Sequence, residues 1–199
     1  MEVVFCPRCG RRLTLKEVEA HERPVCDAEI GGCGFIDYGH FTLGVGGLVV
    51  EAGPSGEHRV LLIQRNIEPN RGGWTIPGGY VERDETAEEA VIREVEEETG
   101  LRCALIGLAG YRNRADPEMN TSYVVFLLEK IGGDLFSEPT FETAQVGFYT
   151  LAELEALPRL TPLSRAFAAA ALAGRLKVLH PKTMPNWNDR PPFTLFMGE

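Results

Sequence analysis

From Phe41 onward the chain alternates short apolar runs with turn-forming clusters, and the period of the runs changes along it. "TLGVGGLVVE" and "RVLLIQRN" are rich in β-branched and aliphatic residues and flank "AGPSGEH", whose Gly, Pro and Ser favour a turn, so they read as two joined strands. Further strands are expected in "CALIGLAGY", "SYVVFLLEK" and "QVGFYT". Between them Ala87, Ala90, Val91 and Val95 recur at helical spacing, which predicts an amphipathic helix over roughly 86 to 98. Thr86 with Glu89 three residues later makes a capping box, and Gly100 is placed to end the helix in a left-handed conformation. "LAELEAL" and "PLSRAFAAAALAG" read as two more helices.

The first 38 residues lack this periodicity, and the Pro- and Asn-rich stretch "HPKTMPNWNDRPPFTLF" reads as an extended strap or partly disordered tail. The expected organisation is a small module over 1–38, one α/β domain over 39–176, and a tail over 177–199. The full 199 residues with 44% hydrophobic content suffice for one good core. No run approaches the roughly 20 apolar residues of a membrane span, and "MEVVFCPRCG" is unlike a signal peptide, so a cytoplasmic protein with no membrane partner is expected. A formal net charge of −9 argues against a nucleic-acid partner, because polyanions are held by clustered Lys and Arg.

Charge is most concentrated on the predicted helix, where four glutamates fall within five positions of "REVEEETG". Glu94, Glu97 and Glu98 stand at i, i+3 and i+4, so their side chains are expected to converge on one spot beside Arg93. Convergent carboxylates suit magnesium or manganese. A solvated acidic face is the commoner meaning of such a run. The preceding "WTIPGGYVERDE" changes the weighing: Pro77, Gly78 and Gly79 form a rigid turn that lets backbone approach a ligand, and Glu85 stands just before the helix.

Read together, Gly79, Glu85, Arg93, Glu94, Val95, Glu97, Glu98, Gly100 and Leu101 resemble the signature of the Nudix hydrolase family at every specified position. The resemblance extends to "GVGGLVVE", "VLLIQRN", "GGWTIPGG" and "TSYVVFLLEK", covering roughly residues 41 to 160. It implies an α+β fold, an α/β/α sandwich with a mixed sheet. It also implies a reaction, hydrolysis by metal-activated water of the diphosphate bond in a nucleoside diphosphate linked to another group. Glu94, Glu97 and Glu98 would be the principal metal ligands, one of them serving also as general base. Arg93 would orient them, with Glu85 a peripheral ligand or orienting partner, and Glu142 is the nearest candidate for a base or further ligand from beyond the signature. The family resemblance also leaves room for a homodimer.

Four of the five cysteines precede residue 34. "CPRCG" is the knuckle half of a zinc ribbon, and Cys26 and Cys33, separated by "DAEIGG", read as a second knuckle with an insertion. A structural, four-cysteine zinc site is expected, with His21 the substitute ligand if one thiol is out of reach. Cys103 reads as a small core residue in a strand, and Trp74 as a structural plug.

A zinc ribbon before this domain resembles two Nudix groups. The NADH pyrophosphatases carry a downstream "SQPWPFP" segment that is absent after Leu101. The other group acts on ADP-ribose and FAD; "RNIEPNRGGWTIPGGYVE" and "TSYVVFL" resemble it more closely, and Pro117 stands where ADP-ribose hydrolases of the family tend to have a proline. The substrate expected is therefore a nucleotide-type small molecule such as ADP-ribose, FAD or NADH. Alternatives are a house-cleaning hydrolase of nucleoside triphosphates, or a non-catalytic ligand-sensing protein. For substrate contact the candidates are Gly78, Gly79, Arg65 and Arg112, with Arg71 and Arg114 also in flanking loops or strand ends.

Overall fold

A computed structural model describes residues 4–39, 41–115, 120–184 and 193–198, so Pro117 lies outside the described residues. The described residues form two compact units, one of residues up to Phe41 together with Arg114, Ala115 and Asn120, the other of 42–113 and the remainder from 121.

The first unit is built on a hairpin that the apolar pattern does not disclose. Strands β1 (Thr14–Val18) and β2 (His21–Val25) pair antiparallel through a turn in which Glu19 and Ala20 both take positive φ, at 52° and 61°. A single 3₁₀ turn follows over Ala28–Ile30, capped by the Asp27 carboxylate and closed by left-handed Gly31. Its buried apolar residues are Cys6, Val25 and Cys26, too little burial to hold such a segment by itself.

The second unit is a six-stranded mixed sheet between helices, in the order β5 (Trp74–Thr75), β4 (His58–Arg65), β3 (Phe41–Ala52), β7 (Asn120–Gly133), β6 (Leu101–Ala115). Strand β8 (Thr143–Tyr149) also pairs with β4, antiparallel. The two faces of the sheet carry separate apolar clusters, as the period-two alternation requires. On one face Val45, Val49, Leu61, Phe126 and Leu128 pack against Ala90, Val91 and Val95 of helix α1 (Ala87–Thr99). On the other, Leu48, Val60, Leu62, Trp74 and Val125 pack with Leu154 of α2 (Leu151–Ala156) and Ala168 of α3 (Pro162–Leu172). Gly47 of β3 lets α1 lie close, since a Cβ there would stand 3.0 Å from Leu128 Cδ1 and still nearer Val95.

Helix α1 starts and stops where the sequence places its caps. The Thr86 hydroxyl accepts from the Glu89 amide at 3.2 Å and a Glu89 carboxylate oxygen accepts from the Thr86 amide at 2.8 Å. Gly100, at φ 83°, closes the C-terminus. Cys103 and Trp74 are buried, at 5% and 4% exposure, as a core residue and a plug should be. No helix of the described residues is long and apolar enough to cross a membrane.

The described part of the tail is extended, and it is paired as well. His180–Met184 (β9) and Phe193–Met197 (β10) pair antiparallel, Leu179 bridges Leu108 of β6, and the Phe196 ring lies 5.6 Å from that of Phe126. The order comes from docking onto the domain rather than from local propensity, which a tail with four prolines and a short alternation does not supply.

Candidate active site and cysteine cluster

Everything at the site turns on how the segment Trp74–Gly79 is pinned. Strand β5 pairs Ile63 with Thr75, and beyond it the Ile76 amide donates to the hydroxyl of Ser164, at 3.0 Å. Ser164, at the start of α3, is completely buried and also meets the hydroxyls of Thr75 at 3.0 Å and Thr161 at 2.8 Å. The following turn is held against β3, because Pro77 O accepts from Gly47 N and Gly79 O accepts from Val45 N, both at 2.8 Å. Gly78 sits at φ 152° against Val45 and Gly46, where a side chain has no room. Its amide is thereby aimed at the Glu98 carboxylate, donating to Oε2 at 2.7 Å.

Glu98 is 4% exposed, and among the described residues the Gly78 amide is the one hydrogen-bond donor to its carboxylate. Burial pushes its carboxyl up to about 8; the Gly78 amide opposes the shift, and Glu94 adds to it. Glu94 is raised for the same first reason, burial, with the Arg93 guanidinium working against it. Arg93 is the hub of the outer side. It makes a two-point contact with Glu85 (Nε to Oε2 at 3.0 Å, an Nη to Oε1 at 2.7 Å) and its other terminal nitrogen donates to Glu94 at 2.9 Å and Glu97 at 3.0 Å. Glu85 is correspondingly held down to about 2 by Arg93 and by the Glu82 amide. Arg93 therefore orients carboxylates.

The three helix glutamates do not meet at a single point. Glu94 and Glu97 lean to Arg93 while Glu98 turns inward to Gly78, the arrangement that keeps like charges apart and gives each carboxylate a donor. The donor set still fits a hard divalent cation: carboxylate oxygens from successive turns, one of them buried with its charge unpaired. Glu142 is exposed, yet its charge raises both Glu94 and Glu98, so it borders the same spot.

Two of the arginines named from the sequence face this cluster electrostatically. Arg65 lowers Glu98 and Tyr123, while its Nε donates to Pro69 O at 3.0 Å. Arg112 donates to Thr121 at 2.8 Å and its guanidinium lies 5.6 Å over the Tyr123 ring. Arg71 instead meets Asn66, at 3.4 Å. Gly78 and Gly79 face the carboxylates, with Gly79 packed against the Glu94 side chain. Ser164 and Tyr123 belong to the site and were missed by the motif. Neither carries a sequence signal for its partners, which are 88 residues away for Ser164 and on a distant strand for Tyr123.

In the first unit the four cysteines gather. Among the described residues, Cys6, Cys9, Cys26 and Cys33 are the one group of potential ligands whose donor atoms all lie within 4.8 Å of one another. Cys6 Sγ is 3.5 Å from Cys33 Sγ and Cys9 Sγ is 3.4 Å from Cys26 Sγ, near the spacing of roughly 3.8 Å that a tetrahedral ion with ~2.3 Å bonds imposes. Backbone amides of Arg8 and Cys33 point at the Cys6 and Cys26 sulfurs, at 3.4 and 3.3 Å, as they do toward thiolates. The six residues between Cys26 and Cys33 are accommodated by the 3₁₀ turn and by Gly32, whose amide donates to Asp27 O at 2.7 Å. His21, on exposed β2, lies outside the group.

Comparison with known proteins agrees with this geometry. The model of the NUDIX domain matches residues 40–171, about two thirds of the chain. An ADP-ribose pyrophosphatase of Methanocaldococcus jannaschii is 39% identical over 100 residues, 49% of this chain and 56% of that protein. An NAD-capped RNA hydrolase of Pseudomonas aeruginosa is 28% identical over 178 residues, 89% of this chain and 58% of the other. The chain thus spans about half the length of the curated relatives it matches. A NUDIX hydrolase structure from Nitrosomonas europaea superposes with a TM-score of 0.67 at 26% identity, covering 87% of this chain and 92% of that one.

Proposed function

The chain belongs to the Nudix family, and from that premise we propose that it is a pyrophosphatase cleaving the diphosphate of a nucleoside diphosphate linked to a second group, with ADP-ribose as the first substrate to test. The observation that carries the reading is Glu98: a carboxylate buried to 4% exposure with one amide donor is costly unless a cation completes it. The choice of ADP-ribose is supported by the 39% identity to a protein of that activity.

Glu94, Glu97 and Glu98 would hold magnesium or manganese, with Glu142 bordering them. The ion when bound screens the diphosphate charge and makes water acidic enough to be a nucleophile at neutral pH. Glu98, or one of its neighbours, accepts the proton that water gives up. Arg93 is a positioning residue, fixing Glu94 and Glu97 through two hydrogen bonds while Glu85 fixes Arg93. The Ser164 hydroxyl fixes Ile76, and through the turn it sets the aim of the Gly78 amide. Arg65 and Arg112 bring positive charge near Tyr123, which favours an anionic substrate there. The four-cysteine cluster takes a structural zinc: four thiolates leave no open position for chemistry.

The test is a panel of ADP-ribose, FAD, NADH and nucleoside triphosphates with magnesium or manganese, products resolved by chromatography. AMP released from a dinucleotide-type substrate supports the proposal, and its abolition in Glu98→Gln ties it to this site. Pyrophosphate released from triphosphates alone would move the substrate class to nucleoside triphosphates. No product from any of them, with the protein folded, would overturn an enzymatic reading.

A further inference from the structure

Tyr123 stands in β7 on the face of the sheet away from α1, in line with Val125, and its ring is built into the end of the sheet nearest the glutamates. Two glycines of β3 make room for it. A Cβ at Gly44 would meet the ring at 2.7 Å, and one at Gly46 would meet the hydroxyl at 2.8 Å. The hydroxyl reaches further, to Gly78, where a Cβ would stand 2.9 Å from it. Gly78 is the residue whose amide holds Glu98, so the phenol and the buried carboxylate border one glycine from two sides. Glu98, Glu94, Arg112 and Arg65 all act on the phenol electrostatically, so it lies within reach of both the carboxylates and the two arginines.

The residue is half-buried, its ring packed and its hydroxyl not closed off from solvent, so that hydroxyl is open to a partner that comes from outside. Here none of the hydrogen bonds among the described residues uses it, although Tyr111, one strand away, does bond Ser122 at 2.8 Å. Packing alone would be served as well by phenylalanine. We propose that Tyr123 is a catalytic residue of this site, its hydroxyl donating a hydrogen bond to a non-bridging oxygen of the substrate diphosphate on the Gly78 side of Glu98. The proposal rests on the pyrophosphatase reading above and adds a residue beyond the signature helix. Negative charge grows on those oxygens as water attacks phosphorus, and a neutral donor held in place by its packed ring stabilises it without reorganising. Burial, with Glu98 and Glu94 nearby, raises the phenol above its ordinary range, so it keeps its proton and remains a donor. The Arg112 guanidinium over the ring adds positive charge to the same wall.

The test is Tyr123→Phe, which keeps the ring among its glycines. Two readouts are taken with magnesium present: turnover of ADP-ribose, and binding of inorganic pyrophosphate by calorimetry. The expected result is a fall of roughly 10–100-fold in kcat/KM and of at least about threefold in pyrophosphate affinity, with Tm unchanged. Wild-type values for both in the variant overturn the proposal. If Phe lowers Tm, 3-fluorotyrosine at position 123 replaces it as the control. Activity recovered with the fluorinated phenol but absent with Phe supports the donor role, and equal loss in both overturns it. Should wild-type protein turn over no diphosphate substrate, the pyrophosphatase reading fails, and the pyrophosphate titration still decides Tyr123 separately.

Discussion

Glutamate 98 makes the metal-free protein sensitive to alkali in a way one substitution should abolish. In an unfolded chain its carboxyl ionises near 4.5; in the fold burial holds it up to about 8. Between those values the folded state keeps a proton that the unfolded state has released, so stability falls as pH rises from about 4.5 through about 8. The difference of about 3.5 units, at 1.36 kcal/mol each, puts the loss on the order of 4 kcal/mol by pH 8. For a domain of this size that is roughly 10 °C in Tm. Glu98→Gln removes the titration yet keeps an oxygen for the Gly78 amide. Melting curves in EDTA should therefore show the two proteins close together at pH 5, and the variant higher by several degrees at pH 8. Millimolar magnesium at pH 8 should raise the wild type and leave the variant nearly unmoved. Parallel melting temperatures across pH 5 to 8 would refute the argument, because Glu98 would then ionise in the fold at no cost.

Three other outcomes are expected. A carbon-13 titration should find Glu85 ionising near 2, and Arg93→Met should return it toward 4.5, since Arg93 is the first cause of its depression. Ser164→Ala strands the buried Ile76 amide and should cost about 1–3 kcal/mol in urea unfolding, with activity falling as the Gly78 turn loosens. Cys9→Ser should lower bound zinc, measured by elemental analysis, well below one per chain, with loss of order in the amides of β1 and β2 by hydrogen exchange.

How much of this could be read from the chain follows from how far each interaction reaches. Helix α1 was legible almost to the residue because its caps, stripe and stop are neighbours in sequence: Thr86 with Glu89, Ala90 with Val91 and Val95, then Gly100. The longer strands around it were legible for a similar reason, each being a local apolar run bounded by turn-forming residues. Convergence of Glu94, Glu97 and Glu98 was expected from helical spacing alone and did not occur, because spacing fixes Cβ directions and says nothing of Arg93 on one side or the Gly78 amide on the other. The β1–β2 hairpin was hidden since both strands are largely exposed and leave little apolar signature. Strands β9 and β10 were hidden since their order comes from Phe126 and Leu108, far upstream.

The bond from Ile76 to Ser164 also sets an order of events during synthesis. A nascent chain that has released residues up to the end of β8 already carries every carboxylate, Arg93 and the Gly78 turn. It does not yet carry the hydroxyl that immobilises Ile76. A late helix thus completes the aim of an amide made some ninety residues earlier, and chains cut before α3 should hold all the acidic side chains of the site without its rigidity.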